Sequence, residues 1–223
     1  MAWTIESLAG YIDPSIVDWI AFEKYICLHG GEDLDWIRRF TNTAKAVAKA
    51  TQIPLELLYV GKSNPGRKVV KINNVIMVEN LSHTMPDLIL RWHFWDRFES
   101  MWHSKKQYGK SVGNVPIMKE IKSILSFDKS DQGWAMISRG GPTEMAKAKG
   151  NTFLKSLNQL EKWKDRVKEV DFLTAFNENL KELGSLDHCN SLIILYAERS
   201  SNISEMRTCD ECGRPMEEFI VFS

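Results

Sequence analysis

The residues with the most chemical content lie near the end of the chain, where Cys209 and Cys212 flank Asp210 and Glu211. Two cysteines at this spacing can bind one metal ion through both thiolates, and Gly213 just after them relaxes the turn that such binding requires. The segment therefore has the form of half a zinc site.

A complete zinc site needs two further ligands, and the nearest candidates in the sequence are His188 and Cys189. Adjacent side chains usually point in opposite directions, so only one of these two is expected to join the pair. Two other interpretations are equally open: reduced cysteines in a loop, or a reversible disulfide in a thiol-redox module. The negative charge of Asp210 and Glu211 disfavours a reactive thiolate.

Elsewhere the chain carries no Ser/His/Asp or Cys/His arrangement anchored by a recognisable local motif. Gly30-Gly31 predicts a tight turn, because Glu32 and Asp33 place negative charge where a phosphate-binding turn needs bare amides. Gly61-Lys62-Ser63 imitates the end of a phosphate-binding loop, but Glu56 stands where its first glycine is required. The sequence therefore predicts no catalytic residue.

The predicted secondary structure begins with a strand, a helix and a strand between Lys24 and Lys62. Residues 24–29 and 55–60 are short runs bounded by glycine or proline, which is typical of strands, and Cys27 is expected to be a small buried residue. The helix between them is indicated by residues at three- and four-residue steps: Leu34, Ile37, Thr41, Ala44 and Ala48. Such a crossover joins parallel strands, so we expect an α/β fold with a partly parallel sheet flanked by helices.

A long helix is predicted from Asp87 to about Gln107, with Pro86 suited to its first turn. Its large apolar side chains share one broad face: Leu88, Trp92, Trp95, Phe98 and Trp102. An aromatic stripe of this kind usually belongs to a core, and aromatic residues are also enriched at interfaces. We favour the core interpretation and keep the interface as the alternative.

The remaining elements are shorter. Helices are predicted at residues 3–23 (two, separated at Asp13-Pro14), in the first half of 68–81, at 117–127 and at 152–183 (two), and strands at 133–138, 191–196 and 216–222. The chain is interpreted as one α/β domain over residues 1–223. In that domain, residues 1–22 form a helical lead-in and residues 185–223 form C-terminal strands with the Cys-x-x-Cys element.

The composition is that of a folded protein, with 43% hydrophobic residues and eight tryptophans. Basic and acidic residues number 29 each, so no net charge attracts the chain to nucleic acid or to an anionic membrane. No apolar run approaches the ~20 residues of a membrane span. The first residues lack the features of a secretory signal, and four cysteines without such a signal suggest a reducing, cytosolic compartment.

Longer motifs run along the chain in a fixed order. Tyr25-Ile-Cys-Leu-His-Gly-Gly31 leads into Asp35-Trp-Ile-Arg-Arg-Phe40, and further motifs follow at residues 54–65, 99–105, 126–128, 133–140 and 209–217. Together they resemble the C-terminal region of the sieve element occlusion (SEO) proteins, the plant phloem proteins that include the subunits of forisomes. The resemblance covers the chain from about Glu23 onwards.

This resemblance implies a structural protein and not an enzyme. Members of the family assemble into filaments or protein bodies in sieve elements and are associated with occlusion of the sieve plates after wounding. The implied partners are further copies of the chain or other SEO-family subunits, in the cytoplasm of phloem sieve elements. Zinc at Cys209 and Cys212 is the one cofactor that the residues suggest, whereas a calcium response is implied by the family alone, because the acidic spacing of an EF-hand is absent.

The family also implies a thioredoxin-like region, of which the strand–helix–strand stretch would be the later part. Thioredoxin chemistry requires Cys-x-x-Cys where the helix begins, and this chain has Gly30-Gly31-Glu32-Asp33 there, so the fold is expected to act as a scaffold. Family members are much longer than this chain. We expect that the absence of the strands that those longer chains contain leaves sheet edges unpaired here, which favours association with another chain or aggregation.

Overall fold

The structure, a computed structural model, describes residues 9–10, 13–61, 67–85, 87–107, 116–128, 133–140, 145–184, 191–195 and 217–221. The chain divides into two compact units, Met1–Lys181 and Glu182–Ser223. The interpretation of residues 1–223 as one domain stays a prediction.

The first unit opens with helix α1 (Pro14–Ala21). Asp13 caps this helix by accepting a hydrogen bond from the backbone N–H of Ser15, at 3.0 Å. Helix α1 confirms the second of the two helices predicted in residues 3–23, and most of the first lies outside the described residues.

The predicted strand–helix–strand unit consists of β1 (Tyr25–Gly30), α2 (Leu34–Thr51) and β2 (Leu55–Tyr59). The two strands pair in parallel, with Tyr25 opposite Leu55. Asp33 caps α2 by accepting from the backbone N–H groups of Asp35 and Trp36, at 2.9 and 3.1 Å. Its carboxylate therefore occupies amides that a phosphate would need, in agreement with the interpretation of Gly30-Gly31 as a turn.

Four elements follow β2: α3 (Arg67–Val78), β3 (His83–Thr84), α4 (Leu88–Gln107) and α5 (Pro116–Asp128). Helix α4 confirms the long helix predicted from Asp87, and α5 confirms the one predicted at residues 117–127. The sequence favoured a helix only for the first half of residues 68–81, and helix α3 is longer than that, since it extends to Val78.

A hairpin of β4 (Trp134–Ser138) and β5 (Ala146–Lys149) completes a five-stranded sheet in the order β3-β2-β1-β4-β5. Strands β2 and β3 pair in parallel, whereas β4 is antiparallel to both β1 and β5. The sheet is thus mixed, and the predicted fold class is confirmed. Strand β5 was missed because its sequence, Ala-Lys-Ala-Lys, offers only small apolar side chains.

Helical segments α6 (Gly150–Asn158), α7 (Leu160–Trp163), a 3₁₀ turn (Arg166–Lys168) and α8 (Phe172–Gly184) end this part of the chain. The two helices predicted at residues 152–183 are therefore present, with the first interrupted at Gln159.

The core has two layers, because alternate residues of each strand point to opposite faces of the sheet. One layer packs α2, α3, α6 and α8 on the sheet, and its largest residues include Trp36, Phe40, Phe153 and Phe176. The other layer packs α1, α4 and α5, and includes Ile16, Trp95, Phe98 and Trp134. Helices α3 and α4 therefore belong to different layers.

In the second unit, β6 (Ser191–Leu195) and β7 (Glu217–Val221) confirm the two predicted C-terminal strands. They pair in parallel, with Ser191 opposite Glu217. The orientation was not predicted, since it depends on the path of the residues that connect the two strands.

Candidate interaction surface

The predicted thiol site cannot be placed, because Cys209, Cys212, His188 and Cys189 lie outside the described residues. Among the residues that the structure describes, no group of three or more His, Cys, Asp or Glu side chains is arranged to hold a metal ion. The zinc and redox interpretations of the thiol pair therefore stay predictions.

Cys27 is fully buried in β1, as expected. Its Sγ lies 3.8 Å from the carbonyl oxygen of Leu28, and burial raises the pKa of the Cys27 thiol far above its usual value. The thiol is therefore held neutral, and Cys27 acts as a small core residue.

The aromatic stripe predicted on α4 divides between core and surface. Trp95 and Phe98 are each 1% exposed, whereas Trp92 is 50% exposed and Leu88 is 39% exposed. The stripe interpretation also missed Phe94, which is fully buried beside Trp95. The core interpretation is thus confirmed for Trp95 and Phe98, whereas an interface at the exposed Leu88 and Trp92 stays a prediction.

The exposed end of α4 carries a run of large apolar side chains, which we call the α4 surface: Leu88, Ile89, Leu90 and Trp92. The described residues contain nine exposed large hydrophobic side chains, and the α4 surface supplies four of them within five consecutive positions. The other five are Val70, Met77 and Val78 of α3, Val17 of α1, and Phe22. Scattered exposed hydrophobic residues are ordinary, whereas large apolar patches mark interaction sites. The α4 surface is therefore the candidate interaction surface among the described residues.

Arg91 lies in the middle of this run and is fully buried. A helix at the surface of a protein normally buries its apolar residues and exposes its charges. The first turns of α4 show the reverse arrangement. Sequence reasoning missed the burial of Arg91 because arginine is rarely buried. The signal that was available is the single charge at position 91 within four apolar residues.

Hydrogen bonds fix the Arg91 guanidinium between the two layers. Its Nη2 donates to Asn73 Oδ1 on α3 at 2.7 Å and to the carbonyl oxygen of Met85 at 2.8 Å. Asn73 Nδ2 donates to the same Met85 carbonyl, at 3.4 Å. Arg91 thereby joins α4 to α3 and to the segment that connects β3 to α4.

The same guanidinium lies at the carboxyl end of β2. Its central carbon is 5.5 Å from the ring centroid of Tyr59, within the range of a cation–π contact. Gly61 adopts a φ of 65°, and a Cβ at that position would lie 3.1 Å from Arg91 Nη1. Glycine at position 61 therefore leaves space for the guanidinium and permits the left-handed backbone conformation beside it.

Burial lowers the pKa of Arg91 and raises that of Tyr59, whose hydroxyl donates to the carbonyl oxygen of Gly31 at 2.8 Å. Arg91 Nε and Nη1 have no hydrogen-bond partner among the described residues. No carboxylate in that part of the chain forms an ion pair with Arg91. The guanidinium is thus held by hydrogen bonds to neutral groups.

His29 is a second buried polar residue, near the end of β1. Its Nε2 lies 3.0 Å from Ser82 Oγ, and burial lowers the pKa of the imidazole to about 3. Nδ1 has no partner within the described residues. His29 is therefore neutral at physiological pH and contributes no positive charge to this end of the sheet.

Comparison with known proteins identifies the family. The family described as sieve element occlusion C-terminus matches residues 1–223. The chain belongs to the sieve element occlusion family. It is similar to Protein SIEVE ELEMENT OCCLUSION A of Arabidopsis thaliana, with 36% identity over 99% of this chain and 28% of that protein. For Protein SIEVE ELEMENT OCCLUSION B of the same plant the identity is 40%, over 95% of this chain and 29% of the relative.

The SEO chain described here thus spans less than a third of the length of the relatives that it matches. No solved structure matches it. Among the described residues, every helix is too short or too polar to cross a lipid bilayer.

Proposed function

We propose that this SEO chain is a non-enzymatic structural protein of the phloem, which associates with other SEO-family chains in the cytoplasm of sieve elements. The observation that supports association is the α4 surface, with Trp92 and three aliphatic side chains exposed together. The names of the relatives support the setting, since both are called sieve element occlusion proteins. Filament formation and occlusion of sieve plates after wounding belong to the same proposal.

The partner of the α4 surface in this proposal is a second SEO chain, tested here as another copy of the same chain. Tryptophan is enriched among the residues that dominate binding energies, and neighbouring aliphatic side chains exclude water around it. The zero net charge of the chain also means that two copies do not repel each other over long distances.

The sheet serves as a scaffold in this proposal. Its parallel β1–α2–β2 unit and antiparallel β4–β5 hairpin are compatible with the later part of a thioredoxin-like domain. The turn that leads into α2 consists of Gly30-Gly31-Glu32-Asp33, which has no thiol, so we assign no redox chemistry to this position.

The experiment is sedimentation velocity of the purified chain under reducing conditions over a series of concentrations, with electron microscopy of any pellet. We expect the wild-type chain to associate and the Ile89→Asp/Trp92→Asp variant to remain monomeric. The matched control is Val17→Asp/Phe22→Asp, which alters two equally exposed hydrophobic side chains outside the α4 surface. A wild-type chain that stays monomeric would contradict the proposal, as would equal losses of association in both variants.

A further inference from the structure

We infer that the free edge of β6 is a second self-association surface, to which β6 of another copy of the chain adds as an antiparallel strand. This inference rests on the proposed self-association and adds a contact beyond the α4 surface. The observation behind it is the two-stranded sheet of β6 and β7, in which each strand has only one neighbour among the described strands.

Strand β6 has the sequence of an inner strand of a sheet. It reads Ser-Leu-Ile-Ile-Leu, so the alternation of residues along the strand places leucine and isoleucine on both faces. Parallel strands that are apolar on both faces normally lie inside larger, covered sheets. Two strands alone are marginally stable at best in water, so we expect this pair to gain further strands.

Charge distinguishes β6 from the other edge strands. Native proteins protect exposed edges with charged residues, particularly lysine, or by making the edge strand very short. Strand β7 begins with Glu217 and Glu218, β5 carries Lys147 and Lys149, and β3 has only two residues. Strand β6 has five residues and none of them is charged. Among the described edge strands, β6 is therefore the one that lacks protection against strand addition.

A second copy of β6 fits this edge. A two-fold axis at Ile193 makes two β6 strands antiparallel, with Ser191 of each copy opposite Leu195 of the other. This pairing places no charges opposite each other. It gives a four-stranded sheet in the order β7-β6-β6-β7, whose outer strands begin with Glu217 and Glu218. Strand addition therefore ends at two copies and does not continue into a cross-β stack.

Two different contacts of this kind convert dimers into a filament. A contact in which both chains use the same surface closes at a dimer. A chain that contacts one neighbour through the α4 surface and another through β6 forms an open row. One strand of five residues forms few hydrogen bonds, so the β6 contact is the weaker of the two. It therefore forms at concentrations above those at which the α4 surface produces dimers.

The test measures backbone amide hydrogen exchange in the wild-type chain under reducing conditions, in the concentration range where α4 dimers form and at higher concentration. Alternate amides of an edge strand face outwards without a partner, so their exchange reports directly on strand addition. When roughly 90% of the chains are paired through β6, exchange of the outward amides in residues 191–195 should slow about tenfold, because only unpaired chains expose them. Residues 217–221 are the internal reference, and their exchange should not change.

A pair of variants tests the register of the two strands. Ile193→Lys and Ile193→Glu each place two like charges at the two-fold axis, so each variant alone should stop at the α4 dimer. An equimolar mixture places lysine opposite glutamate and should restore assemblies larger than dimers. Restoration in the mixture also shows that both variants are folded, and exchange in the wild-type chain keeps the inference testable if they are not.

The inference is overturned if assemblies larger than dimers form while exchange at residues 191–195 is unchanged, or if residues 217–221 become protected in their place. It is also overturned if the mixture of two folded Ile193 variants remains dimeric. Failure of the proposed function has a different signature: Ile89→Asp/Trp92→Asp would then assemble like the wild type, with the slow exchange at residues 191–195 retained.

Discussion

Substitution of Gly133 by alanine tests the packing that holds the helices on the sheet. Gly133 precedes β4, and the six-membered ring of Trp36 from α2 lies directly against its Cα. A Cβ on Gly133 would be only 2.1 Å from Trp36 Cε3 and 2.3 Å from Cδ2. Gly150 lies on the same indole, since its Cβ would be 2.7 Å from Trp36 Nε1. Gly133 and Gly150 thus form a slot for the Trp36 ring, which is stacked on Phe40 at 4.8 Å.

The expected cost follows from the rigidity of that ring. Overpacking a core typically costs 1–3 kcal/mol, and a flat ring caught between a strand and a helix cannot move aside, so we take ~3 kcal/mol. The lower chain entropy of alanine in the unfolded state offsets up to ~1 kcal/mol. The net loss of ~2 kcal/mol corresponds to a drop in melting temperature of about 4–8 °C for a chain of this size.

The assay is thermal unfolding of Gly133→Ala, alone and combined with Trp36→Leu. Leucine removes the face of the ring, so in that background Gly133→Ala should keep only its unfolded-state gain of up to ~1 kcal/mol, and the two substitutions should be coupled by ~3 kcal/mol. An unchanged melting temperature in Gly133→Ala would refute the close packing of the Trp36 ring against Gly133. Equal costs of Gly133→Ala in both backgrounds would show that the strain does not come from Trp36.

Three further predictions concern His29, Gly61 and the thiol pair. Because the pKa of His29 is about 3 in the folded chain and ~6.5 in the unfolded chain, the unfolded state binds more protons between these values. Unfolding free energies from urea titrations should therefore fall by ~2 kcal/mol from pH 7 to pH 5 through His29, and His29→Gln should flatten that slope; an equal slope in the variant would contradict this. Gly61→Ala should cost ~1–2 kcal/mol in thermal unfolding, because φ is 65° and the new Cβ meets Arg91. Gly140→Ala, at a φ of 66° beside Ile20, should cost a similar amount, and an unchanged melting temperature in both variants would contradict the strain assigned to these backbone conformations. Finally, Cys209→Ser/Cys212→Ser should sediment like the wild type, with or without a chelator, because neither cysteine belongs to the α4 surface; a loss of association would transfer the assembly role to the thiol pair.

The main elements of the fold were predictable from local pattern. The helical spacing from Leu34 to Ala48 predicted α2, and the short runs on either side predicted β1 and β2 together with their parallel pairing. These signals are local, because a helix or strand that faces one core repeats its apolar residues at a fixed period.

The features that depend on several segments at once were not predictable. The buried position of Arg91 requires Asn73, Met85 and Gly61 to converge, and none of these is its neighbour in the sequence. The division of the α4 stripe depends on which face of the helix packs on the sheet, and a broad apolar stripe does not reveal that choice. Strand β5 is recognised only through its pairing with β4.

The most direct measurement of the central claim is the dissociation constant for self-association, obtained from sedimentation of a dilution series for the wild-type chain, Ile89→Asp/Trp92→Asp and Val17→Asp/Phe22→Asp. Completing the burial of Ile89 and Trp92 in an interface contributes ~2 kcal/mol, so the first variant should weaken association by about 30-fold or more. The Val17/Phe22 control should associate like the wild type. Equal dissociation constants for all three chains would show that association does not use the α4 surface, and a wild-type chain that remains monomeric at every concentration would contradict self-association itself.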